Sequence, residues 1–446
     1  MGRVALIGEN SVEYIDILIT IWNNGDCAVL IDCNIPPVTA VEMMLEAQVS
    51  KCYIQQKYYD KISDSISKSI SLISYEKENC SDRLLPVDIY NKFQENYSKD
   101  EAIVIYSSGT TGKSKGIVLS HFAINTNADS IIDYMQLTKD DCIYIVKNIA
   151  HSSSITGELL VALKTKTPIV IAPVVVPPRV IIRNIETYQV TQICINPTIL
   201  KMLLEECRRK SCLLYPLRNI YVHGAKTHDK LGENARNFFT NSNIYFEYGL
   251  TEAGPRVTSQ KVNNSSNLSV GKPILGVDVI IVDDLGNVVG ANTKGIIHVK
   301  TPSVYSNYVC GDKKLPSLYS DWLNTGDIGY LDDLGELYII GRKDTMINLC
   351  AHKIYPIEVE KQILAHSKIN ECVVTMVTFQ GEDVLCCLYI SNEDIQKDIK
   401  SVLSNVLMKY EIPKIFVRTD IIPKTRNGKV SLIDVNEVIL RELKGV

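Results

Sequence analysis

Short, uninterrupted apolar runs alternate with amphipathic stretches through most of the first 246 positions of this 446-residue chain. Residues 4–7 and 28–31 read as strands. Between them the stretch 12–23 has helical spacing, with Ser11 placed as an N-cap and Gly25 as a stop. Residues 37–49 read as the next helix. The order returns later, with strands at 169–171, 192–195, 220–222 and 244–246 and helices at 179–188, 198–209 and 229–239. A strand that is apolar at every position has no wet face, so these runs require parallel sheet covered by helices on both sides. One sheet holding all of them would be unusually wide, and two doubly wound sheets are predicted. Near position 270 the texture changes to short strands with Gly/Asn turns, at 278–282, 295–300 and 337–340, which predicts a small β-barrel. A third texture follows Arg342: helix 356–365, strands 372–378 and 384–390, helix 393–408 and strand 414–418. That is a compact α+β unit. The chain is thus an α/β protein with domains at 1–342 and 343–446.

The apolar run at 102–105 passes into Tyr106-Ser107-Ser108-Gly109-Thr110-Thr111-Gly112-Lys113-Ser114-Lys115-Gly116. Glycines let backbone N–H groups approach an anion, hydroxyls donate hydrogen bonds and lysines bring charge, so the composition is that of a phosphate cradle. Gly112-Lys113-Ser114 fits the second half of a P-loop, but its first glycine would fall on Ser107. A P-loop also runs from strand into helix, whereas residues 117–119 form a second apolar run and a helix starts only after Ser120. Strand, loop, strand describes a flap over a nucleotide. The plain alternative is a flexible surface turn, which leaves the two lysines without a purpose.

Composition narrows the rest. Hydrophobic content of 46% beside 22% charged residues is that of a soluble globular protein, and the length allows about two to three domains of ~150 residues. A net charge of −4 without a Lys/Arg-rich block offers no surface to nucleic acid. Thirteen cysteines, with no C-x-x-C pair or zinc spacing, read as buried thiols in a reducing cytosol, hence a cytoplasmic protein. No charged-then-apolar leader precedes the first strand, and the most apolar segment, 169–176, is too short to span a membrane.

Four further motifs follow the loop: Tyr248-Gly249-Leu250-Thr251-Glu252, Asn324-Thr325-Gly326-Asp327, Gly341-Arg342-Lys343-Asp344 running on to Glu358-Val359-Glu360, and Pro423 to Lys429 with its Asn427-Gly428-Lys429. In this order they resemble the adenylate-forming superfamily of acyl- and aryl-CoA synthetases, peptide-synthetase adenylation domains and luciferases, over nearly the whole chain. The resemblance implies a mobile C-terminal domain and a two-step reaction. ATP and Mg²⁺ activate a small carboxylic acid as its acyl-adenylate, releasing pyrophosphate. The acyl group then passes to the thiol of CoA or of a carrier-protein phosphopantetheine. Both partners of the first step are anionic, so neutralising charge is the central need.

On that resemblance Ser107, Ser108, Gly109, Thr110, Thr111, Gly112, Lys113 and Lys115 hold the β- and γ-phosphates. Glu252 is the metal ligand, Thr251 contacts the α-phosphate, and Tyr248 and Gly249 lie along adenine. Gly224 and Ala225 stand beside adenine and the acyl pocket. Asp327 receives the ribose hydroxyls, with Arg342 assisting at ribose or phosphate; an ordinary Asp–Arg surface pair is the alternative. Lys429 reaches the α-phosphate and the attacking carboxylate, where a charge about 4 Å away contributes about 4 kcal/mol at an effective dielectric near ~20, roughly a thousandfold in rate. Without the family it is an exposed turn lysine. Asp344 is a hinge or an ordinary linker residue. His151, in Ala150-His151-Ser152-Ser153-Ser154, lies beside the acid pocket or is a satisfied core histidine. His223, His298 and His352 are left as structural or surface residues.

Several positions depart from the family pattern. Ser114 stands where Pro is usual, Asn348 where Lys is usual and Ala351 where Gly is usual; the last two fall in a hairpin on the thiol's route. The chain also opens directly on its first strand, where relatives carry some tens of residues. Ser152 to Ser154 offer no carboxylate for an α-amino group, which favours a plain aliphatic or aromatic acid. The alternatives are a stand-alone adenylation enzyme loading an amino or aryl acid onto a carrier protein and, more remotely, a P-loop NTPase or kinase, or a non-catalytic paralogue.

Overall fold

The computed structural model describes residues 2–63, 66, 69–76, 83–108, 114–172, 176–224, 229–262, 269–310, 321–349, 352–366, 368–424 and 430–444. The chain forms two compact units. The larger comprises Met1–Ala291, His298–Thr325 and Leu331–Leu337; the smaller comprises Asn292–Ile297, Gly326–Tyr330 and Tyr338–Val446.

In the larger unit a seven-stranded sheet runs, in spatial order, Asn307–Tyr308, Ser114–Ser120, Glu101–Ser108, Cys27–Asp32, Arg3–Gly8, Lys51–Gln55 and Ser71–Tyr75. Arg3–Gly8 is parallel to both neighbours, with Ala5 beside Val29 and Cys52, and all three are fully buried. That burial on both faces is what the apolar runs demanded. The helix Val12–Asn23 starts where Ser11 accepts a hydrogen bond from the Tyr14 N–H at 3.1 Å. It buries Tyr14, Ile15, Leu18, Ile19 and Trp22, a stripe at helical spacing, and the chain leaves it through Gly25 at φ +76°.

A second sheet carries, in order, Arg256–Lys261, Asn243–Gly249, Asn219–Val222, Gln192–Ile195, Ile143–Ile145 and Ile169–Ile171. The last five are parallel, and Arg256–Lys261 returns antiparallel along Asn243–Gly249. Helices Pro178–Thr187 and Pro197–Lys210 bury Ile181, Ile185, Leu200 and Leu203 against it. The strands expected beyond position 270 are present at Asp278–Val282, Gly295–Lys300 and Leu337–Arg342, but among the described residues they do not form a sheet of their own, so the predicted small β-barrel is not a separate element.

The smaller unit is built on the antiparallel pair Glu371–Phe379 and Glu382–Ile390, with Ile415–Arg418 parallel to the second. Gln380 and Gly381 both take positive φ (53° and 82°), the backbone a tight hairpin turn needs. Helix Pro356–Leu364 covers one face through Val359 and Ile363, and Leu432–Lys444 covers the other through Val435 and Ile439. The protein is therefore an α/β fold, with a large N-terminal domain of sheets and helices and a small C-terminal domain on a three-stranded sheet. Helix 393–408 of the sequence reading is shorter, Gln396–Leu403. Among the described residues no helix is long and apolar enough to cross a membrane.

Candidate active site

The Gly/Ser/Thr/Lys loop hangs from an antiparallel hairpin. Ser107 stands opposite Lys115, and Ser108 opposite Ser114. Gly109, Thr110, Thr111, Gly112 and Lys113 lie outside the described residues. The chain beyond the loop is the strand Ser114–Ser120, and the next helix, His121–Met135, begins at its N-cap Ser120. A Walker loop would have its helix where this strand lies. Gly116 fits a close approach, since a Cβ there would stand 2.7 Å from Val309 Cγ2. The exposed Lys115 places its Nζ 5.6 Å from the centre of the Tyr308 ring, and the Tyr308 hydroxyl donates to Glu252 Oε1 at 3.3 Å. Burial, reinforced by Glu252, pushes the Tyr308 phenol well up, so it remains a donor.

Glu252 belongs to a tight return. Strand Asn243–Gly249 ends with Tyr248 half-buried. At Gly249 a Cβ would collide with the Pro255 carbonyl oxygen at 2.0 Å, the same oxygen that accepts from the Leu250 N–H at 3.0 Å. The single 3₁₀ turn Thr251–Ala253 is held in that return. Thr251 Oγ1 shares a hydrogen bond with Ser152 Oγ at 2.9 Å, and the Glu252 carbonyl accepts from the Tyr305 N–H at 2.9 Å. The Glu252 carboxylate is half-buried and engaged through the long bond from Tyr308. It can still take a hard cation such as Mg²⁺, which binds through one or two carboxylates and keeps water and phosphate oxygens.

Ser152 brings its own turn to Thr251. Asn148 fixes that turn: its Oδ1 accepts from the Ala150 N–H at 2.9 Å and its carbonyl from the His151 N–H at 3.2 Å. His151 Nε2 lies 3.8 Å from Asp32 Oδ2, too long for a hydrogen bond and an ion pair only if the ring is protonated. A buried Asn10 ties the first sheet to this segment, donating to the Lys147 carbonyl at 2.7 Å and accepting from the Ile149 N–H at 2.9 Å. The chain then runs through a short helix, Ser152–Ser154, into a π-helical turn, Ile155–Leu160, whose residues are all buried. Such turns gather at functional sites.

The π-turn carries Glu158 into a polar network that the sequence did not disclose. Lys147 Nζ lies 2.7 Å from Glu158 Oε1 and 2.9 Å from His223 Nε2. Beside them Arg256 Nη1 lies 2.9 Å from Glu247 Oε2, and the Tyr134 hydroxyl donates to Glu247 Oε1 at 2.5 Å. Burial pushes the Glu158 and Glu247 carboxyls up, opposed by Lys147 and Arg256. Burial first, then the charges of Lys147 and Arg256, drives His223 well below the usual imidazole range, so the ring is neutral and can accept from Lys147. His223 and His298 are buried, while the exposed His352 stacks on Tyr410 at 3.9 Å. Gly224 follows His223 with φ +88°, a conformation that suits glycine; Ala225 lies outside the described residues.

The smaller unit holds the other candidates. Asp327 is buried, and Arg342 Nη1 donates to its Oδ1 at 3.3 Å while Arg342 Nε donates to Asp344 Oδ1 at 3.1 Å. Gly326, at φ +72°, turns the chain directly before Asp327, and a Cβ there would stand 3.2 Å from Arg342 Nη2. Asp344 is exposed in the 3₁₀ turn Lys343–Thr345. Asn348 sits in the hairpin of Ile347–Leu349 with His352–Ile354, whose Ala351 lies outside the described residues. Lys429 also lies outside them, next to Val430, which pairs with Lys424. The larger unit thus links Lys115 through Tyr308 to Glu252, sets Thr251 against Ser152 and Ser107 opposite Lys115, and leaves the His151 ring nearest Asp32, while the smaller groups Asp327, Arg342 and Asp344.

The chain matches the family model of the AMP-binding enzyme over residues 2–309 and that of the AMP-binding enzyme C-terminal domain over residues 358–429. It is 26% identical to a 2-succinylbenzoate–CoA ligase of Bacillus cereus, over 98% of this chain and 88% of the relative. It is 25% identical to bacitracin synthase 2 of Bacillus licheniformis, over 96% of this chain but 16% of that much longer protein. Among solved structures, O-succinylbenzoate coenzyme A synthetase from Bacillus subtilis, in complex with ATP and magnesium ion, superposes with a TM-score of 0.81 at 22% identity, covering 98% of this chain and 89% of that one. With both models matched in order, the chain belongs to the AMP-binding enzyme family, within the adenylate-forming superfamily.

Proposed function

We propose that this protein is an AMP-forming acid–thiol ligase. It joins a small carboxylic acid to AMP from ATP, releases pyrophosphate, and passes the acyl group to the thiol of CoA or of a carrier-protein phosphopantetheine. The observation that carries this reading is the phosphate-type loop hung between antiparallel strands, its base linked through Lys115 and Tyr308 to Glu252. Ser107, Ser108, Lys115 and the loop residues 109–113 hold the outer phosphates. Thr251, fixed by Ser152, donates to the α-phosphate. Glu252 would hold Mg²⁺, which supplies charge neutralisation at the phosphates. Tyr248, Gly249, Gly224 and Ala225 line the base, and His151 the acid. Asp327 with Arg342 receives the ribose, Asp344 is the hinge of a mobile part beginning at residue 343, and Lys429 quenches repulsion between acid and α-phosphate. The ligase relative supports CoA as acceptor, the synthase a carrier protein. Among the described residues the cysteines are free and mostly buried, which supports a cytoplasmic home.

The test is ATP labelled at the α-phosphate, incubated with acids and Mg²⁺. AMP and acyl-AMP are expected; ADP would instead mark a kinase or NTPase. Lys429→Ala is expected to lose acyl-AMP formation yet largely retain thioester formation from synthetic acyl-adenylate. Equal loss of both steps would contradict the role given to Lys429.

A further inference from the structure

Glu158, Cys194 and His223 bring three metal-ligating atoms within 4.8 Å of one another, all buried. A cation already serves that place: the Lys147 ammonium sits against both Glu158 and His223. Burial pushes the Cys194 thiol well up, so it offers no thiolate. The cluster is closed by charge as well, Lys147 balancing Glu158 and Arg256 balancing Glu247. A metal would have to evict an ammonium, and the sum of charges gives it no reason to.

Two enclosed ion pairs are a costly way to fill a core, since taking charges out of water offsets most of their attraction. Their position gives them a use. Lys147 is the member of its pair with remaining exposure, 12% of its side chain against 0% for Glu158. Its ammonium has three protons. Glu158 and His223 face it at 2.7 and 2.9 Å, while the third contact, to Ser153 Oγ, is long at 3.4 Å. Ser153 is also the more exposed of its serine trio, with Ser152 and Ser154 buried on either side. Ser152 in turn touches Thr251, the residue assigned to the α-phosphate. Along that turn Ser152, which meets Thr251, is followed directly by Ser153, which meets the poorly used proton of Lys147. The Lys147 backbone is clamped by Asn10, so the ammonium is held in advance of binding.

Resting on the function proposed above, we propose that Lys147 is a specificity-determining residue of the acid site, donating a hydrogen bond to an uncharged acceptor, a carbonyl or hydroxyl oxygen, at the far end of a short acid. The balance of charges decides against a second carboxylate. Lys147 is already neutralised by Glu158 and His223 is neutral, so a second anion would enter without a counter-charge. A plain hydrocarbon end would leave the ammonium proton unmatched, which is the arrangement that rejects an analogue lacking the acceptor.

The test measures pyrophosphate exchange with two matched sets: pentanoate, 4-oxopentanoate and glutarate, and benzoate, 4-hydroxybenzoate and terephthalate. The acceptor-bearing acid is expected to lead its set in kcat/KM by about tenfold or more. In Lys147→Met/Glu158→Gln, which removes both charges of the pair together, that ratio is expected to fall toward one. A purely structural role would lower all acids alike and leave the ratio standing. Equal use of the acids in both sets, a lead for the dicarboxylates, or an undiminished ratio in the folded variant would overturn the assignment. Should the double variant fail to fold, Lys147→Gln alone reads the same ratio, and equal use of the acids by the wild type overturns the assignment without any variant. Exchange with no acid at all would overturn the ligase reading and this inference together, whereas exchange without the ranking would remove only the inference.

Discussion

His223 shows how a single buried group ties this fold to pH. Its folded pKa lies below the ordinary value of about 6.5, so on acidification the unfolded chain takes up a proton that the folded one refuses. Stability from this group is therefore full above about pH 6.5 and lost as pH falls below it. Gln at this position can accept the same bond from Lys147 without titrating. Between pH 7.5 and 5.5 the wild type is expected to lose more stability than His223→Gln, since over that window the unfolded chain takes up a proton at this position that the folded chain refuses. Urea unfolding followed by tryptophan fluorescence reads this in the right place, because Trp22 and Trp322 both belong to the larger unit. Equal pH slopes would contradict the assignment. The loop, the Thr251–Glu252 turn and Asp327 were legible in the sequence because each is written in consecutive residues. Lys147, Glu158, Glu247 and Arg256 were not, since they meet only after folding and leave no spacing to read.

Elements were legible where one physical rule fixed them. Ser11 caps its helix as the sequence indicated, and Ser120, after which a helix is expected, also acts as a cap, each through its hydroxyl at 3.1 Å. The apolar strands followed from having no wet face. Lys51–Gln55 and Ser71–Tyr75 escaped notice because their residues alternate in polarity or stay largely exposed, as at a sheet's margin. The π-turn has no sequence signature; Gly157 lies within it, where a Cβ would come to 3.2 Å from Arg256 Nη2. The return at Gly249 offers a direct test of how tightly the site's turn is built. Gly249→Ala forces a Cβ against the Pro255 carbonyl and is expected to destabilise by about 1–3 kcal/mol, as overpacking does. Gly290→Ala, with open space around it, is expected to be near neutral. Similar urea midpoints for the two would show that the return at 249–255 yields easily.

At the scale of the whole molecule, the change of texture after Arg342 places an expected boundary there, whereas the smaller unit also takes in Asn292–Ile297, Gly326–Tyr330 and the chain from Tyr338. The structure builds two cores separately, one on two sheets with helices and one on a three-stranded sheet. The candidate residues fall in both: Thr251 and Glu252 in the larger unit, Asp327 and Arg342 in the smaller. What the molecule acts on was less legible, because an acid pocket is assembled from side chains of several elements and no single motif spells it. The most direct test of acid activation is exchange of labelled pyrophosphate into ATP by the full chain with Mg²⁺, across a panel of carboxylic acids. Exchange that needs both the acid and the metal is expected, since the step before thiol attack is reversible. Exchange that proceeds equally without any acid, or is absent with every acid tried, would contradict it.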